Sequence, residues 1–202
     1  PKCSTLEIRM NDKNDRRSQR TREALGKAFV ELLTEKGYDA LSIKDVIERA
    51  NVGRSTFYSH YADKDELFVG QLDRLMDLLS RHDPQEHAEV NPFFPSLGLF
   101  HHIKQQRKLY RILTFGSGAD VLTRHLQKSM TEKIEQRLAV GGQNYDVPIP
   151  VIANFLAGSF LSLVRWWMDV KMTFSPEEMD EMYRKLALES VKPLKQESGS
   201  DS

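Results

Sequence analysis

The stretch Ser42–Leu67, SIKDVIERANVGRSTFYSHYADKDEL, decides how this chain is read. Ile43, Val46, Ile47 and Ala50 recur at helical spacing and share one face, and Ser42 precedes them where an N-cap side chain belongs. Asn51-Val52-Gly53 then interrupts the pattern. Asn and Gly tolerate positive φ, so a sharp corner between two helices is expected there. The second short helix keeps Phe57 and Tyr61, four apart, on one face as core residues, and leaves Arg54, Ser55, Thr56, Tyr58 and His60 for other work. One helix props and the next presents its side chains, which is the arrangement of a helix-turn-helix. Asp63 and Glu66 open the following helix as a D-x-x-E variant of the capping box.

Outward from this stretch the chain reads as all-α. Upstream, Ala24, Leu25, Ala28, Phe29, Leu32 and Leu33 form an apolar stripe on a helix expected from near Ser18 to Lys36, with Gly37 ending it as a C′ residue. Residues 1–15 are expected to be a flexible arm. Downstream, Leu67, Phe68, Leu72, Leu75, Leu78 and Leu79 continue a long helix to about Arg81. Pro84, Pro92 and Pro95 mark a loop from His82 to Pro95. Two shorter helices are expected near Ser96–Gln106 and Lys108–Phe115. A long one carrying Val121, Leu122, Leu126, Met130, Ile134 and Leu138 follows the break Gly116-Ser117-Gly118. Gly141-Gly142 with Pro148 and Pro150 bounds another loop, and the most apolar helix runs from about Pro150 to Lys171. The last helix has Ser175 as N-cap, Pro176 at N1 and Glu178 at N3, and ends before Pro193. The expected division is an arm (1–15), a helix-turn-helix domain (16–68), a larger helical domain (69–192) and a disordered polar tail (193–202).

The chain has 202 residues and a formal net charge of zero, so charge alone does not announce a nucleic-acid partner. Its distribution does more. Residues 1–64 carry a balance of +3 and the remainder −3. Arg9, Lys13, Arg16, Arg17, Arg20 and Arg22 are opposed within their own span only by Asp12 and Asp15, so a basic arm leads into the first helix. The longest apolar run, Ile149 to Val164, is broken by Asn154, Gly158, Ser159 and Ser162 and falls short of the roughly 20 residues that span a bilayer, so no membrane partner is expected. The charged N-terminus shows no apolar segment of a signal peptide, and Cys3 has no partner for an internal disulfide; a cytoplasmic protein is expected.

Ala50, Val52, Thr56, Phe57, Tyr58, His60, Tyr61, Lys64 and Leu67, with Gly37 upstream, resemble the N-terminal domain of TetR-type transcriptional regulators over roughly residues 17–68. Trp166-Trp167 followed by Ser175-Pro176-Glu177-Glu178-Met179 is similar to the C-terminal end of a subgroup of that family. Gly53 stands where the family commonly has Ser or Thr, and Asn51 where Gly is more usual. The resemblance implies a repressor that dimerises on an inverted-repeat duplex DNA and is released by a small-molecule effector, with no cofactor, no metal and no enzymatic activity. Arg54, Ser55 and Tyr58 are then the base readers, Arg54 because a guanidinium can bond guanine O6 and N7 together. Thr56, His60, Lys64 and, on the preceding helix, Lys44 are the phosphate contacts. Phe160, Leu163 and Trp167 belong to the dimer interface, and Phe100, Tyr110, Leu113, Phe115, Phe155 and Ser159 to an effector pocket whose ligand the sequence does not name.

Two other readings compete. His82, His87, His101 and His102 with Glu86 and Glu89 suggest a metal-dependent enzyme, but their spacing matches no zinc signature, and adjacent His101 and His102 on a helix diverge by about 100°. A helical co-regulator that binds a ligand or partner protein without autonomous DNA binding is the alternative; the retained Arg54, Tyr58, His60 and Lys64 weigh against it.

Overall fold

A computed structural model describes residues 4–81, 95–116, 118–140 and 144–191, with side chains over 16–79, 95–116, 118–140 and 144–191. The described residues form α1 (Ser4–Lys36), α2 (Ile43–Ala50), α3 (Arg54–Tyr58), α4 (Lys64–Arg81), α5 (Ser96–Gln105), α6 (Arg107–Phe115), α7 (Ala119–Val140), α8 (Ile149–Asp169) and α9 (Pro176–Ser190). No β-strand occurs among them, as the helical periodicity predicts. The Pro-rich loop before Pro95, the Gly141-Gly142 turn and the polar C-terminal tail lie outside the described residues.

The apolar stripe of α1 builds the first core. Leu25, Phe29, Leu32 and Leu33 are buried, joined by Val46 of α2, Phe57 of α3 and Leu67 and Phe68 of α4. Phe29, Phe68 and Tyr38 form a ring cluster with centroids 5.5–6.5 Å apart. The left-handed Gly37 (φ 78°) ends α1, its N–H reaching the Leu33 carbonyl at 3.0 Å. The start of α1 differs from expectation: the helix runs back to Ser4, through residues expected as a flexible arm. Neither Gly nor Pro occurs between residues 2 and 25, so nothing in the backbone stops the helix where the apolar stripe stops.

The second half is a bundle in which α7 lies along α8 and α5 along α9. Leu122, Leu126, Met130, Ile134 and Leu138 form the buried stripe of α7. Phe100, Phe160, Trp167 and Tyr183 stack edge-on or tilted at its centre. The Trp167 indole donates to the Phe174 carbonyl (3.1 Å) and the Tyr183 hydroxyl to the Leu156 carbonyl (3.0 Å). Asp180, buried on α9, accepts from the Ser96 hydroxyl at the start of α5 and from Arg184. Ser175 and Glu178 close the expected capping box on α9.

By length and composition α8 is apolar enough to cross a bilayer. That corrects the expectation drawn from a run ending at Val164; the helix continues to Asp169 and carries only Arg165 and Asp169 as charges. Here it is a core helix, burying Ile152, Leu156, Phe160, Val164 and Trp167. Phe160 and Trp167, expected at a dimer interface, are both fully enclosed within the protomer, and Leu163 is partly buried against the same core. Burying a Phe or Trp already stabilises the monomer, so neither remains for a partner. The apolar side chains that α8 and α9 leave exposed are Val151, Phe155, Trp166, Leu186 and Leu188.

Two glycines give opposite expectations. At Gly37 a Cβ meets no neighbour, but φ is positive, so Gly37→Ala should lower stability by about 1 kcal/mol. At Gly53 φ is −67° and a Cβ would lie 3.7 Å from Thr56 Oγ1, so Gly53→Ser should raise stability by about 0.5–1 kcal/mol through a new cap and a stiffer unfolded chain. Thermal or urea unfolding of the two variants checks both signs.

Candidate nucleic-acid interface

Local rules set the geometry of the reading head. Ser42 caps α2: its hydroxyl accepts from the Asp45 N–H (3.2 Å), and the Asp45 carboxylate accepts from the Ser42 N–H (3.0 Å). Asp45 also takes the Lys36 ammonium at 2.7 Å. Hydrogen bonds from Lys36 and then Ser42 hold its carboxyl well below the usual carboxylate range. Asn51 turns the corner alone, left-handed at φ 52° and ψ 48°. Gly53, expected to share that role, is extended instead and serves as the N-cap of α3 without a side-chain bond. Asp63 caps α4 by accepting from the Glu66 N–H (2.8 Å), while the Glu66 carboxylate reaches one residue further back than a standard box, to the Ala62 N–H.

This corner turns Phe57 inward and leaves Arg54, Ser55, Thr56 and Tyr58 exposed. Tyr61 is buried beside Phe57, as the spacing predicts. Arg54 and Tyr58, four residues apart, stand on one outward face with the guanidinium 5.8 Å over the phenol ring. Lys44 on α2 is 80% exposed and only 3.8 Å-paired with Glu48, a contact weak enough to exchange for a phosphate. His60 is half-buried; burial and then the Arg22 charge hold its imidazole below the ordinary value of 6.5, so at neutral pH it offers an N–H rather than a charge.

Lys64 is placed differently from the other expected phosphate contacts. Its ammonium donates to the carbonyls of Tyr38 (3.0 Å) and Leu41 (3.3 Å) and sits 4.3 Å over the Tyr38 ring. The Tyr38 hydroxyl donates to the Asp65 carboxylate, and burial followed by that carboxylate holds the phenol well above its ordinary value. Lys64 thus closes the link between α1 and α2 against the start of α4. Sequence reasoning missed Tyr38 and Asp65, and also Arg49, which pairs two-pronged with Glu35 (2.9 Å) and reaches Glu31 (3.4 Å), clamping α2 to α1. Glu31 and Glu35 lie on α1 and Arg49 on α2, so only the crossing of the two helices reveals the trio.

A cavity of about 320 Å³ opens between α5, α6, α7 and α8, lined by Leu99, Tyr110, Leu122, Leu126, Phe160 and Val164 with the polar Thr114, Gln127, Ser162 and Arg165. Of the residues expected in an effector pocket, Tyr110 alone lines it. Phe100 is locked in the ring cluster with Phe160 and Trp167. Leu113 faces a separate cleft between α1, α4, α5 and α6. Phe115 is exposed beneath Arg165, Phe155 is exposed on the outer side of α8, and the Ser159 hydroxyl donates to the Leu156 carbonyl. Helical spacing identifies a buried face but not which neighbour it meets. His101 pairs with Glu177 at 3.0 Å, while His102 packs edge-on against Tyr110. Among the described residues no three His, Cys, Asp or Glu side chains converge; His82, His87, Glu86 and Glu89 lie outside them.

Comparison with known proteins follows the same division. The model for bacterial regulatory proteins of the tetR family matches residues 27–70, and a model for a transcriptional regulator C-terminal region matches residues 93–189. An uncharacterized HTH-type transcriptional regulator of Bacillus subtilis (strain 168), YxbF, is 49% identical over 61 residues, 30% of this chain and 16% of its own length. DhaS, the HTH-type dhaKLM operon transcriptional activator of Lactococcus lactis subsp. lactis (strain IL1403), is 32% identical over 54 residues, 27% of this chain and 29% of its own. The chain therefore matches less than a third of the length of these curated relatives. A TetR transcriptional regulator from Streptococcus agalactiae 2603V superposes with a TM-score of 0.63 at 26% identity, covering 88% of this chain and 98% of that one. With its reading head and its C-terminal bundle both matched in chain order, and the fold shared over most of its length, this chain belongs to the TetR family of bacterial transcriptional regulators.

Proposed function

We propose that this regulator binds an inverted-repeat duplex as a homodimer in the cytoplasm, acts as a repressor, and is released when a small molecule enters the cavity between α5 and α8. Residues 16–68 are the DNA-binding domain and 69–192 the effector-binding and dimerisation domain. The carrying observation is the outward cluster of Arg54, Ser55, Thr56 and Tyr58, displayed on a head in which Lys36, Arg49 and Lys64 are engaged by internal contacts. Arg54 with Ser55 and Tyr58 enters the major groove; Lys44, Thr56 and His60 meet phosphates. One five-residue helix touches too few bases for useful specificity, and a two-fold pair doubles the contacts. The exposed Val151, Phe155, Trp166 and Leu186 supply the apolar face for that pairing. DhaS, 32% identical over 54 residues, is named an activator; operator position relative to the promoter sets that sign.

Coupling runs through Tyr38. A Cβ on Gly118 would lie 2.9 Å from Tyr38 Cγ, so the turn between α6 and α7 rests on the ring that positions Lys64 and Asp65. α6 carries Tyr110 and Thr114 of the cavity. A ligand that favours another position of α6 favours another setting of α4, and two heads at the wrong spacing release DNA.

Selection from a randomised duplex pool tests the reading. Enrichment of an inverted repeat supports it; if no sequence enriches at low salt, the co-regulator without its own DNA binding takes its place. On the selected site Arg54→Ala should cost about 1–3 kcal/mol and relax one base position. Lys44→Gln should reduce the salt slope of binding by about one. Lys64→Met should leave that slope nearly unchanged but lower stability by about 1–3 kcal/mol, because two carbonyls lose their donor. Phe155→Glu should yield a folded monomer by sedimentation, whereas Phe160→Ala should unfold the protomer by about 3–5 kcal/mol.

A further inference from the structure

Beside the cavity lies a second groove of about 330 Å³, between α6 and the turn from α8 to α9. Arg107, Arg111 and Lys171 line it, with Phe115, Met168 and a single carboxylate, Asp169. Resting on the effector reading above, we propose that the effector is an amphiphilic anion, its apolar body in the cavity and its phosphate or carboxylate head among Arg107, Arg111 and Lys171.

Three observations carry this. The first is charge without compensation. Arg107 and Arg111 are four apart on α6, where like charges repel, and α6 contains no Asp or Glu. Among the described residues no ion pair engages Arg107, Arg111 or Lys171, whereas Lys36, Arg49, Arg74, Lys133 and Arg184 each pair with a carboxylate. Three cations against Asp169 leave the groove positive, and guanidinium forks suit a two-oxygen anion.

The second is placement. Lys171 and Met172 are both left-handed, at φ 60° and 58°, in a turn closed by N–H bonds to Met168 and Trp167. That turn sets Lys171 across the groove from the α6 arginines. The third is continuity. The Thr114 hydroxyl, which lines the cavity, lies 3.6 Å from the Met168 sulfur, which lines the groove. Arg165 lines the cavity and stands 5.4 Å over the ring of Phe115, which lines the groove. The partition between the two spaces is therefore two touching pairs, Thr114 with Met168 and Arg165 with Phe115, and rotation of the flexible Met168 and Arg165 side chains would join them. Inside, Tyr110, Thr114, Thr123, Gln127, Ser162 and Arg165 offer polar atoms beside an apolar lining of Leu99, Ile103, Leu122, Leu126, Phe160 and Val164, which suits an alkyl or aromatic body with a few polar substituents.

The test uses the full chain and four probes by calorimetry: octyl phosphate below its micelle concentration, octanoate, octanol and inorganic phosphate, with release from the selected duplex followed in parallel. Octyl phosphate or octanoate should bind about tenfold or more tighter than octanol, and the better of the two identifies the head. Raising salt should erode that advantage and leave octanol unaffected. In a triple variant, Arg107→Gln, Arg111→Gln and Lys171→Gln, folded by its melting curve, the advantage should fall to about threefold or less while octanol binding persists. Equal binding of octanol and octyl phosphate, or an anion preference that survives the triple variant, overturns the head subsite and leaves the effector cavity standing. If none of the four probes binds, both the subsite and the effector reading of the cavity fall.

Discussion

The contact between Lys64 and Tyr38 is the constraint on which the other parts of the structure depend. The Tyr38 ring packs on Phe29 and Phe68, its face carries the Lys64 ammonium, its carbonyl accepts from that ammonium, and its hydroxyl donates to Asp65. Gly118 closes against it from the turn between α6 and α7. Three segments distant in sequence thus meet at one side chain. Charge-assisted hydrogen bonds strengthen as water is excluded, and a close-packed contact has little room to yield, so a shift in any one segment is felt by the other two.

That constraint also explains how a chain of zero net charge presents a basic reading surface. Five basic residues of α1 to α4 fall into two groups. Lys36, Arg49 and Lys64 are tied to Asp45, Glu35 and backbone carbonyls, where they brace α1, α2 and α4. Arg54 and Lys44 remain on the outer face, the first leaning only on Tyr58. Acidic residues are thereby spent on structural partners at the back of the head, and the front is left positive. Net charge sums both groups and hides the difference.

In the C-terminal half, one family of side chains was divided among different tasks. Phe100, Phe160 and Trp167 form the ring cluster of the protomer; Tyr110 faces the cavity; Phe155 and Trp166 face outward. All six are aromatic and lie on amphipathic helices, and burial of such a ring is favourable against any apolar neighbour. The preference is non-directional, so composition and spacing leave the choice among core, pocket and exposed face open.

The sequence by itself determined the helices, their ends and the reading head. Ser42 with Asp45, Gly37, Asn51, Ser175 with Glu178 and the buried pair Phe57 and Tyr61 act over at most four residues along the chain, and each stands where its spacing predicts. Tertiary structure decided what depends on two elements at once: the inward turn of Lys64, the Arg49 clamp, the enclosure of Phe160 and Trp167, and the cavity beside its basic groove. Local hydrogen bonds and φ preferences are written in neighbouring residues. Which face of one helix meets which face of another depends on how all the helices close-pack, and no short stretch of sequence contains that information.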